Sequence, residues 1–253
     1  MGEAVTYALE DGVVWLVIDR PEARNAINRA VADGLWAGFR RFEQDRGAAV
    51  LVLTGAGDAF CAGADLKEMA ELGLTVPPRD MAPSLGQNIQ VAKPVIAAVN
   101  GPAFGGGFLL AQMCDLCVAG TSARFAVTEA RWGRGAPWAA PLPWLVPPRV
   151  AMELLLTGEP IDAHRAYEVG LVNRVVPDPE LRSEAARLAR RIADNAPLSV
   201  RAAKAMVHAS AGRDLDEAVE EGWRLFEPVY RSEDAQEGPR AFVERRPPVW
   251  KGR

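Results

Sequence analysis

The sequence predicts an α/β chain, a spiral of β-β-α units followed by a helical C-terminal region. Three observations carry this. A strand, a Gly-rich turn and a helix succeed one another at 49–72, and the same order returns at 95–113, about 46 residues further on, a weak internal repeat. No linker-like stretch divides the 253 residues, so the copies must stack within one body. Beyond Pro148 the pattern is mostly helical. The expected division is a core over 1–195 and a helical region over 196–253.

The elements follow in order. Val5 to Leu9 and Val13 to Ile18 read as two strands joined through Glu10-Asp11-Gly12 as a hairpin. Asn28 reads as a helix cap, with Val31, Leu35, Phe39 and Phe42 at helical spacing through Asp45. Ala49 to Leu53 reads as a buried strand. A Gly-rich turn then leads to a helix starting near Asp65. A loop over 73–84 ends at Ser84, which reads as the cap of a short helix to Val91. Val95 to Val99 is a second buried strand, followed by glycines and a helix from Phe108 to Met113. Leu116 to Ala119 and Leu171 to Val176 are further strands, and 131–148, rich in Gly, Pro and Trp, is irregular. Helices are expected over 148–156, 162–168, 180–195, 199–209, 214–230 and from Asp234.

Composition narrows the function. A formal net charge of -4 supplies no broad basic field, so nucleic acid is not an expected partner. No stretch is apolar enough for a membrane span and no signal segment is visible, so a cytoplasmic protein is expected. The three cysteines, Cys61, Cys114 and Cys117, form no disulfide framework. Cys114 and Cys117 have the gap of half a zinc site, but no second pair follows and the histidines are His164 and His208. No metal is expected, and the cysteines read as small buried residues.

The segment NGPAFGGGFLLAQMCD (100–115) carries the chemical signal. Three glycines, Gly105 to Gly107, stand between an apolar strand and an apolar helix. Glycine loses the most backbone entropy on ordering, so three in a row need a reason. A helix N-terminus carries free N–H groups and partial positive charge. Two Gly-rich turns side by side would aim two donors at one oxygen, and losing one such donor typically costs about 3–4 kcal/mol of transition-state stabilisation. Tight helix–strand packing is the other reading, and spacing alone leaves both open. A phosphate loop needs Lys and Ser or Thr after its last glycine, where Phe108 and Leu109 stand. GAGDAF (55–60) has Phe60 where a dinucleotide fingerprint needs Gly or Ala. No Gly-x-Ser-x-Gly elbow exists.

FCAGADLKEM, followed by KPVIAAVNGPAFGGGFLLAQMCDLCVA, resembles the enoyl-CoA hydratase/isomerase (crotonase) superfamily. The resemblance extends over DRPEARNAIN, ARFAVTEARWG and LLLTGEPIDAHRAYEVGLVNRVVP. The end, EGPRAFVERRPPVWKGR, is most similar to carnitinyl-CoA dehydratase-type members. It implies a crotonase-like spiral with C-terminal helices that build a homotrimer or homohexamer, and an acyl-CoA thioester as substrate. Coenzyme A enters as part of that substrate, and no permanently bound cofactor is expected. The resemblance maps oxyanion donors to the N–H groups of Ala64 and Gly106 and an acid/base carboxylate to Glu129. It places Leu109 where two-carboxylate hydratases carry their first glutamate. One carboxylate suits removal of a proton at one carbon and its return at another, which favours isomerisation, with enoyl-CoA hydration or dehydration as the other reaction the resemblance implies. A crotonase-fold protein that binds acyl-CoA without turnover is the alternative.

Some members place an acid after the second glutamate, where Pro137 stands here. Glu68 or Asp80 would have to supply a missing acid. Arg24, Ala26 and Lys67 match or neighbour the region that meets coenzyme A, and Lys251 and Arg253 are candidates for a neighbouring subunit's site. Trp132, Trp138 and Trp144 read either as packing or as an aromatic acyl pocket. If Glu129 is catalytic, partial burial should raise its carboxyl toward neutrality.

Overall fold

The computed structural model describes residues 3–73 and 75–253. Strands β1 (Val5–Glu10) and β2 (Val13–Ile18) form a hairpin. Its two turn residues, Asp11 at φ 47° and Gly12 at φ 82°, take the left-handed conformation that matches strand twist. Helix α1 (Arg29–Gln44) starts at Asn28, whose side chain accepts from the Val31 N–H. Then come β3 (Val50–Gly55), α2 (Leu66–Leu72), β4 (Val95–Val99), β5 (Pro102–Phe104) and α3 (Gly106–Gln112). The next elements are β6 (Leu116–Gly120), β7 (Arg124–Ala126), α4 (Leu142–Leu145), α5 (Pro148–Thr157), β8 (Ile161–Asp162), α6 (Ala163–Glu168) and β9 (Arg174–Val176). The chain closes with α7 (Leu181–Ala193), α8 (Pro197–Ser210), α9 (Leu215–Tyr230) and α10 (Glu233–Glu244).

One sheet runs in the order β1-β2-β3-β4-β6-β9, parallel from β2 onward. Parallel strands are buried on both faces, which is why 95–99 and 50–53 read as unbroken apolar runs. On one face Leu16, Leu51, Leu53, Val95 and Ala97 pack with Leu35, Phe39 and Phe42 of α1 and Phe108 and Leu110 of α3. On the other, Val13, Trp15, Val50, Val52 and Ile96 pack with Leu181, Ala185, Leu188 and Ala189 of α7.

After leaving this sheet, each turn of the chain adds to a second ladder. Ile27 bridges Ala64, Cys61 bridges Ala103, Ala103 pairs with Phe125 in β7, and Phe125 pairs with Ile161 in β8. The internal repeat seen in the sequence is this spiral. Leu51 pairs with Val95 in one layer while Cys61 meets Ala103 in the other, so equivalent points of successive units lie side by side.

Two expectations are corrected: within 131–148, read as irregular, Leu142–Leu145 form the short helix α4, with Pro141 and Pro143 at its start, and the helix expected over 84–91 is absent. Residues 84–91 form turns, not a helix. Leu85 and Ile89 bridge, Gly86 sits at φ 78°, and the Asn88 side chain takes the Ser84 N–H and donates to the Arg79 and Ala82 carbonyls. Asn88 satisfies the backbone groups that a helix would have satisfied. The strand expected from Leu171 begins only at Arg174, and the third helix starts at Gly106, earlier than Phe108. Leu74, in the expected loop, lies outside the described residues.

Candidate functional site

The two Gly-rich turns are drawn together by backbone bonds. The Ile27 N–H donates to the Gly63 carbonyl at 2.7 Å, and Asp65 N–H returns to the Ile27 carbonyl at 2.9 Å. On the other side Cys61 N–H donates to Pro102 and Phe104 N–H to Cys61. These bonds hold residues 61–65 between 24–27 and 102–106. A Cβ on Gly106 would lie 3.7 Å from the Ala64 nitrogen, and one on Gly63 would lie 3.4 Å from the Gly106 nitrogen. The N–H groups of Ala64 and Gly106 are therefore neighbours. Among the described residues neither donates to an oxygen of the chain.

Glycine is required at this junction for steric reasons. A Cβ on Gly107 would fall 2.1 Å from the Cys61 carbonyl oxygen, so any side chain there would force the turns apart. Gly105 has φ 52° and ψ -118°, a conformation other residues rarely adopt. Its missing Cβ would lie 3.1 Å from Glu129 Oε1. The glycine thus lets a carboxylate rest against the backbone one residue before the Gly106 donor.

Glu129 opens a one-turn helix over Glu129–Trp132, beyond β7, and β7 is fixed to the glycine loop by the Gly105 N–H to Ala126 carbonyl bond of 2.9 Å. Its Oε2 is buried and has no hydrogen-bond partner among the described residues. Burial pushes the carboxyl above its ordinary range, against the smaller opposing pull of its own backbone N–H and the Trp138 side chain. The sequence expectation of a raised carboxyl holds in direction.

Leu109 is 8% exposed yet belongs to neither hydrophobic cluster of the core. It lies three residues after Gly106, near it on the α3 surface. Glu68 does not offer a free acid. Both its oxygens accept the Arg29 N–H, at 3.0 and 3.2 Å, where α1 begins. Asp80 is exposed, and its backbone carbonyl accepts the Trp36 indole N–H. Pro137 begins a short turn over Pro137–Ala139.

Arg24 and Lys67 expose their side chains close in the chain to the paired residues Ile27 and Ala64. The Arg24 carbonyl accepts the Ala62 N–H, and the Ala26 carbonyl accepts from Arg20 at 2.8 Å. Lys251 and Arg253 are engaged within their own chain, each paired with Glu233 at 3.1 Å. Of the three tryptophans, Trp132 and Trp144 are 63% and 71% exposed, whereas Trp138 is half-buried against Phe108.

The residues that hold this geometry include some the sequence reading passed over. Asn25, fully buried at φ 57°, accepts the Arg20 N–H and donates to the carbonyls of Ala56 and Ala59. Arg20 reaches Asp65 at 3.3 Å, and Asp65 caps α2. Asn tolerates positive φ, so an Asn inside a polar loop was the available signal. Cys61 and Cys117 are buried as expected, with thiols pushed up to about 12 by burial, whereas Cys114 is only partly buried, its thiol also pushed up. No described helix is long and apolar enough to cross a membrane.

Known proteins resemble this chain over its whole length. A family model described as enoyl-CoA hydratase/isomerase matches residues 8–253. The carnitinyl-CoA dehydratases of Proteus mirabilis and Citrobacter koseri are 38% and 39% identical, with all of each chain covered. Crystal structures of enoyl-CoA hydratases from Mycobacterium marinum and Mycobacterium tuberculosis superpose with TM-scores of 0.92 and 0.90, at 37% and 36% identity over the whole of each chain.

Proposed function

On the premise that this chain belongs to the enoyl-CoA hydratase/isomerase family, we propose that it isomerises enoyl-CoA thioesters with one carboxylate, Glu129. The single observation that carries this is a half-buried carboxyl whose Oε2 has no hydrogen-bond partner among the described residues and whose pKa burial raises, beside two neighbouring N–H groups and a leucine at position 109.

The thioester oxygen would accept from Ala64 and Gly106. Glu129 would take a proton from the α-carbon of a 3-enoyl chain. The electron pair moves through the π-system onto the thioester oxygen, where the two N–H groups stabilise it. The carboxylic acid then returns the same proton to the γ-carbon, giving the 2-enoyl product and regenerating the carboxylate. A carboxyl raised toward neutrality both accepts and returns a proton at modest cost. Arg24, the Ala26 backbone and Lys67 are the groups proposed to meet coenzyme A. Helices α8–α10 are proposed to join copies of the chain as a trimer or hexamer. The exposed apolar residues Val207, Val219, Trp223 and Tyr230 on α8 and α9 support that reading.

A second reading, dehydration of a 3-hydroxyacyl-CoA, is favoured by the names of the dehydratase relatives. Mass spectrometry of products from 3-enoyl- and 2-enoyl-CoA in heavy-oxygen water separates the two. A 2-enoyl product without heavy oxygen, abolished by Glu129→Gln, is expected. Heavy oxygen in a 3-hydroxyacyl product would establish the hydration equilibrium instead. Bound acyl-CoA with no turnover, indifferent to Glu129→Gln, would leave a binding protein.

A further inference from the structure

The donors proposed for the thioester oxygen are peptide N–H groups. A trans peptide group is planar, with its C=O and N–H pointing in opposite directions. No described peptide bond is cis. The Ala64 N–H therefore points away from the Gly63 carbonyl, which accepts the Ile27 N–H at 2.7 Å. The Ile27 N–H shares its own peptide group with the Ala26 carbonyl, and that carbonyl accepts from Arg20 Nη1 at 2.8 Å. Arg20, the Ala26–Ile27 peptide and the Gly63–Ala64 peptide thus form one chain of hydrogen bonds, with a cation at one end and the Ala64 N–H at the other. The Arg20 side chain is 20% exposed; its Nη2 lies 3.3 Å from Asp65 Oδ2 and its Nε 3.8 Å from Glu22. Asn25 holds the Arg20 backbone twice, taking its N–H on Oδ1 and donating to its carbonyl, each at 2.9 Å.

We propose that Arg20 is a positioning residue for the Ala64 N–H, which it aims and polarises through the two peptide groups between them. Hydrogen bonds in series strengthen one another, and a bond from a charged donor is about twice as strong as a neutral one. Positive charge on the Ala26 carbonyl makes the Ile27 N–H a stronger donor. The Gly63 carbonyl is polarised in turn, and with it the Ala64 N–H. A carbonyl has two lone pairs, so the bond from Arg20 leaves the Ala26 backbone able to meet coenzyme A. The turn that carries the chain takes an uncommon backbone, with Arg24 at φ 49° and Asn25 at φ 57°. Arg20 is bonded to both ends of that turn, at Asn25 and Ala26. The Asp65 carboxylate on the other arm of the guanidinium also caps α2 through the Lys67 and Glu68 N–H groups. A mere brace between Arg20 and Asp65 would hold the same turns, and the two roles differ in what loss of the Asp65 charge does.

This role rests on the reading of Ala64 and Gly106 as donors to a thioester. The test uses the full-length protein with butanoyl-CoA labelled with carbon-13 at the thioester carbonyl, and reads the infrared band of that carbonyl when bound. Donors to the oxygen lower the band below its position in free butanoyl-CoA. Arg20→Gln keeps a neutral donor for the Ala26 carbonyl and removes the charge. It should move the band back toward the free position and lower kcat on a 3-enoyl-CoA about tenfold, less than the loss of a whole donor, with KM little changed. Asp65→Asn keeps a capping side chain on α2 and leaves the guanidinium on Ala26, so the band should stay at or below its wild-type position. A band that Arg20→Gln leaves in place, in protein that still unfolds cooperatively in urea, overturns the proposal. So does a band that Asp65→Asn moves as far toward the free position as Arg20→Gln does, because a brace alone predicts that. Should Arg20→Gln not fold, Asp65→Asn decides: a band moved toward the free position overturns the proposal, and one at or below the wild-type position upholds it. A bound band at the free position in wild type itself refutes the donor reading of Ala64 and Gly106, and the role of Arg20 with it.

Discussion

Two carboxylates lie near the two ends of α3, and their surroundings are opposite. Glu129, at the Gly105 end, is half-buried with Oε2 unpartnered, and burial raises its carboxyl. Asp115, three residues past Gln112, is also mostly buried. Burial alone would raise it, but His208, Lys204 and the Val95 N–H together hold it below the ordinary range. Lys204 Nζ lies 2.8 Å from one oxygen, His208 Nε2 3.1 Å from the other, and the Val95 N–H 2.8 Å away. Asp115 therefore ties α8 to the start of β4. The same residue class is a brace where donors surround it, and its carboxyl is pushed up where burial outweighs them.

The largest test of this contrast is Glu129→Gln. Turnover should fall by about 10²–10⁴, the usual share of a general acid–base. Stability should move the other way. A raised native pKa means stability is greatest below the ordinary value of 4.5 and is lost as pH rises through the native value. The variant's advantage in denaturant midpoint should then grow from pH 4.5 upward and level off. A variant less stable than wild type at pH 8 would break the comparison.

Asp115→Ala should do the reverse. It leaves Lys204 without its carboxylate and the Val95 N–H without its acceptor, which should cost about 3 kcal/mol in urea unfolding. Turnover per folded molecule should be unchanged. Because this carboxyl is held low, its contribution is present above the ordinary 3.8 and lost as pH falls through the lower native value. Wild type and variant should converge in stability only in strong acid.

Gly105→Ala sharpens the comparison by moving Glu129 without removing it. A Cβ at φ 52°, 3.1 Å from Oε1, should cost about 1–2 kcal/mol of stability. It should lower kcat by about tenfold or more through misplacement. The smallest effect should come from Glu68→Gln. Its carboxylate stabilises the first turn of α1 through the Arg29 N–H, so the loss should be about 0.5–1 kcal/mol in thermal or denaturant unfolding. A large loss of turnover there would mean that Glu68 is a working acid after all.

Much of the fold was legible because the signals are local. Val95–Val99 is apolar at every position, Asn28 stands directly before a helical pattern, and Asp11-Gly12 suits a two-residue turn. The misread helix at 84–91 shows the limit: Asn88 turns back on Ser84, Arg79 and Ala82, and a periodic pattern does not reveal which backbone groups a side chain will take.

The sequence by itself determined the repeating unit, the two Gly-rich turns, the lone carboxylate in the 127–132 segment and the leucine at 109. Those follow from residue type, spacing and backbone sterics within short windows. Only the tertiary structure decided that Ala64 and Gly106 present neighbouring N–H groups, that Glu129 rests against Gly105, and that Glu68 is occupied at Arg29. It alone distinguished Asp115 from Glu129. Burial and donors are properties of what surrounds a carboxyl in space, and the donors to Asp115 come from residues 95, 204 and 208, far from it in the chain.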